Sequence, residues 1–285
     1  MSSGDGVASP LRRAFGENRT SWIGLGVFLL VVALAVLAPW IAPHDPVEQD
    51  IFSRLQGPSG TYPFGTDQFG RCVLSRLLHG ARYSLAIGIA STLIALLLGS
   101  LIGIVAGWYG GRLDTVVMQA MDVLLAFPAL ILGLILVAML GPSLPNIVAA
   151  IALTSVPAFA RIARAPTIAV KERDYIEACR SLGYSDARIM FLHVLPNILA
   201  EIMVMSSLWL ASAIRTEASL AFIGLGLSPP TPTWGGMIRD GFENILDSYW
   251  LAILPGVAIL VVVLALNLLG DGLRDAVDPK LQSTS

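Results

Sequence analysis

Six stretches of this chain run nearly free of charge for about the length of helix that crosses a bilayer. They are Trp22 to Ile41, Leu85 to Trp108, Val116 to Leu140, Ile147 to Ala160, Ile198 to Ala213 (extendable toward Phe222) and Trp250 to Leu269. A hydrocarbon core takes roughly 20 helical residues to cross. Long unbroken runs suit lipid, whereas a soluble core shows alternation or amphipathic stripes. The fourth run is the shortest, about 14 residues with Pro157 inside it, and is read as a full span with a re-entrant segment as the alternative. The first follows Arg12, Arg13 and Arg19 and is too long for the apolar part of a signal peptide, so it is read as a retained helix. Composition agrees: 13% of residues are charged and mean hydropathy is +0.74, where a soluble domain carries roughly twice that charged share. The expected fold class is an all-α integral membrane protein with six transmembrane helices.

Charge asymmetry orients the spans. Arg161, Arg164, Lys171, Arg173, Arg180 and Arg188 crowd the stretch between the fourth and fifth runs. The excess of Lys and Arg marks the cytoplasmic side, which places both termini in the cytoplasm. The opposite side receives residues 43–80, a turn at 141–145 and residues 224–248, the last with Arg239 as its one basic residue. Within the second run, Gly99, Gly103 and Gly107 recur every fourth residue and share a helix face on which another backbone can approach closely. That face is expected to pack helices within the subunit, with a subunit interface as the alternative. Polar groups in apolar runs are expensive, about 2.5 to 3.5 kcal/mol at the bilayer centre, and usually face protein or water. Asp122, Gln119, Glu217 and Arg215 are accordingly candidates for a pore or gate, with Glu201 and Asn267 behind them; interfacial placement is the plainer reading for several.

Several function classes lose their footing. No basic cluster interleaved with aromatics suggests nucleic acid, and net charge is −2. Only Lys171 and Lys280 are lysines and neither follows a glycine, so the chain holds no Walker A motif and is not expected to be an enzyme. His44, His79 and His193 lie in three separate segments without metal-ligand spacing. No histidine falls inside a run, which disfavours an intramembrane serine protease. Inverted repeats and midplane ion ligands, expected of a gradient-driven secondary transporter, are not evident. Cys72 and Cys179 fall on opposite sides of the membrane in this topology and form no disulfide framework.

The polar stretch 174–197, DYIEACRSLGYSDARIMFLHVLPN, is strongly patterned. Tyr175, Ala178, Cys179 and Leu182 fall at i, i+3, i+4 and i+7 and form an apolar helix face; Gly183 follows at a natural C′ position. Ser185 or Asp186 can cap a second short helix leading through Ile189 and His193 to Pro196 and Asn197 at the foot of the fifth span. Two readings stay open from these residues: an elbow that carries a push from a cytoplasmic partner, or an amphipathic helix on the bilayer surface.

The same residues resemble a known family. E-A-x4-G followed by I-x3-H-x-L-P-N, carried by Glu177, Ala178, Gly183, Ile189, His193, Leu195, Pro196 and Asn197, is similar to the EAA loop of binding-protein-dependent ABC permeases, with Cys179 where a second alanine is usual. FGTDQFGRCVLSRLLHGARYSL (64–85, with Cys72 for a usual acidic residue), EASLAFIGLGLSPPTPTWGGMI (217–238) and NLLGDGLRDAVDPKL (267–281) resemble its dipeptide and oligopeptide branch, specifically the C-type permease. The resemblance implies a type I ABC importer permease fold in a bacterial inner membrane. Its parts would be a cytoplasmic tail (1–20), a first helix (21–42), an extracytoplasmic segment (43–80), a five-helix core (81–270) with a cytoplasmic loop at about 161–196, and a cytoplasmic tail (271–285). It also implies a homologous second permease, one or two ATP-binding subunits holding ATP and Mg, and an external binding protein. Residues 174–183, Asp174 first, would be the coupling helix. Pro229, Pro230, Pro232, Trp234 and Gly235 would lie near the pore mouth and that binding protein, a rigid turn being the alternative. Peptides are the implied cargo; a nickel complex, haem or glutathione are the alternatives.

Overall fold

The computed structural model describes residues 19–277; the predicted N-terminal tail up to residue 18 and the end of the C-terminal tail, 278–285, lie outside them. The regular structure of the described residues is helical, without a strand beyond one isolated bridge between Thr66 and Cys72. In chain order the helices are α1 (Arg19–Ile41), α2 (Val73–Tyr109), α3 (Gly111–Leu125), α4 (Ala129–Leu140), α5 (Leu144–Lys171), α6 (Asp174–Ser181), α7 (Asp186–Ile189), α8 (Leu195–Leu220), α9 (Trp234–Glu243) and α10 (Trp250–Val277). Among the described residues, five helical stretches are long and apolar enough to cross a membrane, and there are six if the bent pair α3 and α4 is counted as one span.

The third predicted run is where sequence and structure part. Val116 to Leu140 reads as one helix, but the chain turns by 87° between α3 and α4. Pro128 has no N–H to continue the ladder and disfavours helical backbone at Phe127, so the helix must restart at Ala129. The weak fourth run is instead longer than it reads. α5 continues eleven residues past Ala160 to Lys171, because its charges have partners on α3: Arg161 lies 2.5 Å from Asp122, and Arg164 holds Asp114 with two contacts of 2.5 Å. At 28 residues the helix is about 42 Å long, enough to span.

The core forms where small residues let helices close up. Along the face of Gly99, Gly103 and Gly107, α5 lies so near that a Cβ would meet backbone or Cβ atoms of Val156, Phe159, Ala160 and Thr167. The glycine face is thus taken up inside the chain. α1 lies antiparallel against α10, with Gly24 facing Ala265 and Gly272 facing Ser21, and the buried residues Ala35, Val262, Val263 and Leu266 share a cluster with Ala211 and Ile214 of α8. At the end away from the elbow, residues 43–72 pack down on the start of α2, where the His44 N–H donates to Ser75 Oγ (3.1 Å). There α9 folds back between α2, α8 and α10, its Gly235 seated on the backbone of Ala218.

Candidate functional site

The elbow is built from local rules. Asp174 and Glu177 in the first turn of α6 and Arg180 in its last suit the helix dipole. Its C-terminus closes in a Schellman arrangement: the Gly183 N–H donates to Arg180 O (2.9 Å), the Tyr184 N–H to Cys179 O (3.1 Å), and Gly183 takes φ +81°. Of the two caps the sequence allows for α7, Ser185 fills the position, its Oγ accepting from the Arg188 N–H (3.4 Å). Tyr184 is then held between the Arg188 guanidinium, 4.3 Å from its ring centre, and the nearly parallel ring of His193 at 6.2 Å.

From α7 the chain passes into α8 without a break, as one helical stretch from Asp186 to Leu225. The passage is a π turn, Met190–Val194, in which the Leu195 N–H bonds to Met190 O five residues back. Pro196 explains it: its ring would clash with the Leu192 carbonyl in a regular helix and it offers that carbonyl no N–H, so the ladder slips by one residue. The Asn197 side chain donates to His193 O (2.6 Å) and fastens the slipped turn.

The predicted apolar face of α6 divides in two. Ile176, absent from the i, i+3, i+4, i+7 set, is fully buried among Trp108, Ile189, Val194 and Ile198, and Cys179 packs against the same cluster. Tyr175, Ala178 and Leu182 point away from the body, Leu182 with 73% of its surface exposed. The inward pair lies three residues apart, a spacing that marks Ile176 and Cys179 as one face. Glu177, also exposed, borders a polar depression with Lys171, Arg173 and Arg180. The Arg180 guanidinium sits 4.7 Å from the ring centre of Trp108, in the last turn of α2.

At the far end the proline run splits: Pro229 and Pro230 are exposed, Pro232 is buried. Trp234 is buried too, its indole Nε1–H donating to Leu77 O (3.0 Å) and its N–H to Ser84 Oγ (3.1 Å). Beside it lies a charged clasp that sequence reasoning missed. Arg71, Arg76 and Asp67 are each at most 5% exposed. Arg71 Nε meets Asp67 at 2.6 Å, Arg76 Nε meets Asp67 at 3.3 Å, and both reach Asp240 of α9 at 3.5 and 3.8 Å. Arg76 also donates to Pro46 O and Pro230 O. Burial pushes the Asp240 carboxyl above its usual range, and Arg76 and Arg71 pull it back. The clasp walls a cavity of about 330 Å³ that Phe69, Gly224, Thr233 and Arg239 also line.

The four residues offered for a pore do not converge. Glu217 is 1% exposed, packed beside the hydroxyls of Ser84 and Thr233. Arg215 is exposed on another side of α8, Gln119 is exposed on α3, and Asp122 is engaged by Arg161.

Residues 99–283 match the family of binding-protein-dependent transport system inner membrane components, and residues 9–58 match the N-terminal transmembrane domain of oligopeptide transport permease C. Among curated relatives, the di/tripeptide transport system permease protein DppC of Pseudomonas aeruginosa is 46% identical over 97% of this chain and 94% of its own length. The dipeptide transport system permease protein DppC of Alkalihalophilus pseudofirmus is 41% identical over 97% and 92%. The glutathione transport system permease protein GsiD of Pectobacterium atrosepticum is 43% identical over 92% and 87%. A chain of the inward-facing MetNI methionine ABC transporter superposes with a TM-score of 0.57 at 18% identity, over 71% of this chain and 96% of that one. The elbow, the helical body of five or six spans and these matches together make the chain a member of the binding-protein-dependent transport system inner membrane components, with the fold of a type I ABC importer permease.

Proposed function

We propose that this chain is half of the translocation pore of an importer for di- and oligopeptides, and that the elbow takes up the stroke of separate ATP-binding subunits. The observation that carries this is the exposed apolar set Tyr175, Ala178 and Leu182 on a capped short helix, continuous through α7 with α8. An apolar surface beyond the spans, on a capped helix anchored by the buried Ile176, suits a protein partner better than solvent. The positive-inside count supports a cytoplasmic elbow with both termini on that side. The second permease completes the pore, the ATP-binding subunits hold ATP and Mg, and an external binding protein delivers cargo near Pro229 and Pro230. ATP-driven closure of the ATPases rocks the paired permeases between two states. Peptide cargo is supported by the DppC relatives; glutathione, itself a tripeptide, is the second reading, supported by GsiD.

The test is cross-linking in native membranes from Ala178→Cys to a cysteine on the ATP-binding subunit, alongside ATP-dependent dipeptide uptake. A cross-link is expected. No product at several spacer lengths, with uptake that ignores ATP, would point to a secondary transporter. A second expectation concerns Gly183→Val. Open space surrounds Gly183, so the burden is conformational alone, about 1 to 2 kcal/mol for a left-handed residue with a Cβ. Normal insertion with uptake reduced severalfold is expected, and wild-type uptake would count against a rigid elbow.

A further inference from the structure

α8 is the evident route from the elbow to the far end, yet it is interrupted at both ends. The π turn Met190–Val194 precedes it, and a second, Ala221–Leu225, follows and breaks at Gly224 with φ 102°. Slipped turns and prolines are where helices bend. Among the described residues, every other helix longer than 20 residues contains proline: Pro39 in α1, Pro157 and Pro166 in α5, Pro196 in α8 and Pro255 in α10. α2 alone has neither proline nor slipped turn over its 37 residues, about 55 Å. Its five glycines are not soft points, since Trp234 lies against Gly80, Ile214 against Gly88 and α5 against the remaining three.

Both ends of this stiff helix are gripped by an arginine contact. In its last turn, Trp108, 2% exposed, lies under the guanidinium of Arg180 from α6. In its first turn, Arg76 holds the clasp to Asp67 and Asp240 and the carbonyls of Pro46 and Pro230. A displacement of α6 therefore reaches the clasp and the cavity beside it along α2, whereas along α8 it meets a hinge at each end. We propose that α2 is the strut carrying the elbow's movement to the outer clasp, and that Arg180 is the positioning residue that engages it through Trp108. This rests on the reading that α6 receives the ATPase stroke.

The test uses the complete importer in proteoliposomes with its binding protein, measuring dipeptide uptake and ATP hydrolysis in the same vesicles. Arg180 is exposed, so Arg180→Gln does not threaten the fold. Its uptake per ATP is expected to fall about two- to fivefold, the factor that follows from losing an exposed cation–π contact, with the ATP-binding subunits still co-purifying. Arg180→Lys and Trp108→Phe, which keep cation and ring, should restore most of the ratio, and Trp108→Leu should not. A purely structural role would lower the yield of importer and leave the ratio alone. At the far end, maleimide labelling of Ser228→Cys should change rate on ATP–vanadate trapping in the otherwise wild-type importer and not in Arg180→Gln. An unchanged ratio, a loss shared by Arg180→Lys, a labelling change that persists in Arg180→Gln, or loss of the ATP-binding subunits from that variant would each overturn the proposal. Absence of ATP-dependent uptake in the wild type would instead overturn the function it rests on.

Discussion

Arg76→Ala is expected to lower the stability of the folded chain by roughly 3 to 5 kcal/mol, the range for removing one partner from a buried ion pair. The reason is what the arginine leaves behind. Asp67 keeps Arg71, but Asp240 loses its second cation while two thirds of its side chain stays covered, and the carbonyls of Pro46 and Pro230 lose their donor. The arginine is 4% exposed and water does not replace it freely. Unfolding in mild detergent would measure the change. Arg76→Lys, with the charge kept and the fork lost, should fall between. A loss under about 1 kcal/mol for the alanine variant would mean the clasp is screened as a surface pair is, and the proposed strut would then have nothing firm to hold at its first turn.

The second large effect is expected at Gly103, where a Cβ would collide with the Ala160 carbonyl oxygen and come within 3.0 Å of the Ala163 Cβ. The obstacle is backbone, so no rotamer change relieves it, and α2 and α5 must separate along the line they share at Gly99 and Gly107. Gly103→Val should destabilise by about 3 kcal/mol, the upper part of the overpacking range, and reduce the amount of chain accumulating in the membrane. Gly26→Val supplies the contrast: nothing lies within 4 Å of that position, and a change within about 0.5 kcal/mol is expected there. Equal losses at the two positions, measured by thermal unfolding, would show that helix propensity and not close packing governs both.

Much of the elbow is legible in the chain because its rules are local. A glycine after an apolar stripe announces a left-handed cap, and Gly183 takes that conformation. A serine ahead of a short helix announces a cap, and Ser185 fills it. Which face of α6 turns inward was not legible, because Tyr175, Ala178, Cys179, Leu182 and Ile176 are all apolar and the choice depends on where Trp108 and Ile198 stand. The charged clasp was hidden for a similar reason. Arg71 and Asp240 are 169 positions apart, and a lone charge outside a span reads as solvated until the fold buries it.

That the chain crosses a membrane several times, roughly where its apolar runs lie, and that a capped elbow precedes the span beginning near Ile198, can be read from consecutive residues. Lipid demands unbroken apolar length and caps act over a few residues, so both are written in consecutive positions. That Glu217 is sealed beside Ser84 and Thr233, that the glycine face is filled by α5, and that Arg180 reaches Trp108 came from the packing of the folded chain. Those outcomes depend on how helices distant in sequence lie against one another, and periodicity within one helix carries no record of its neighbour.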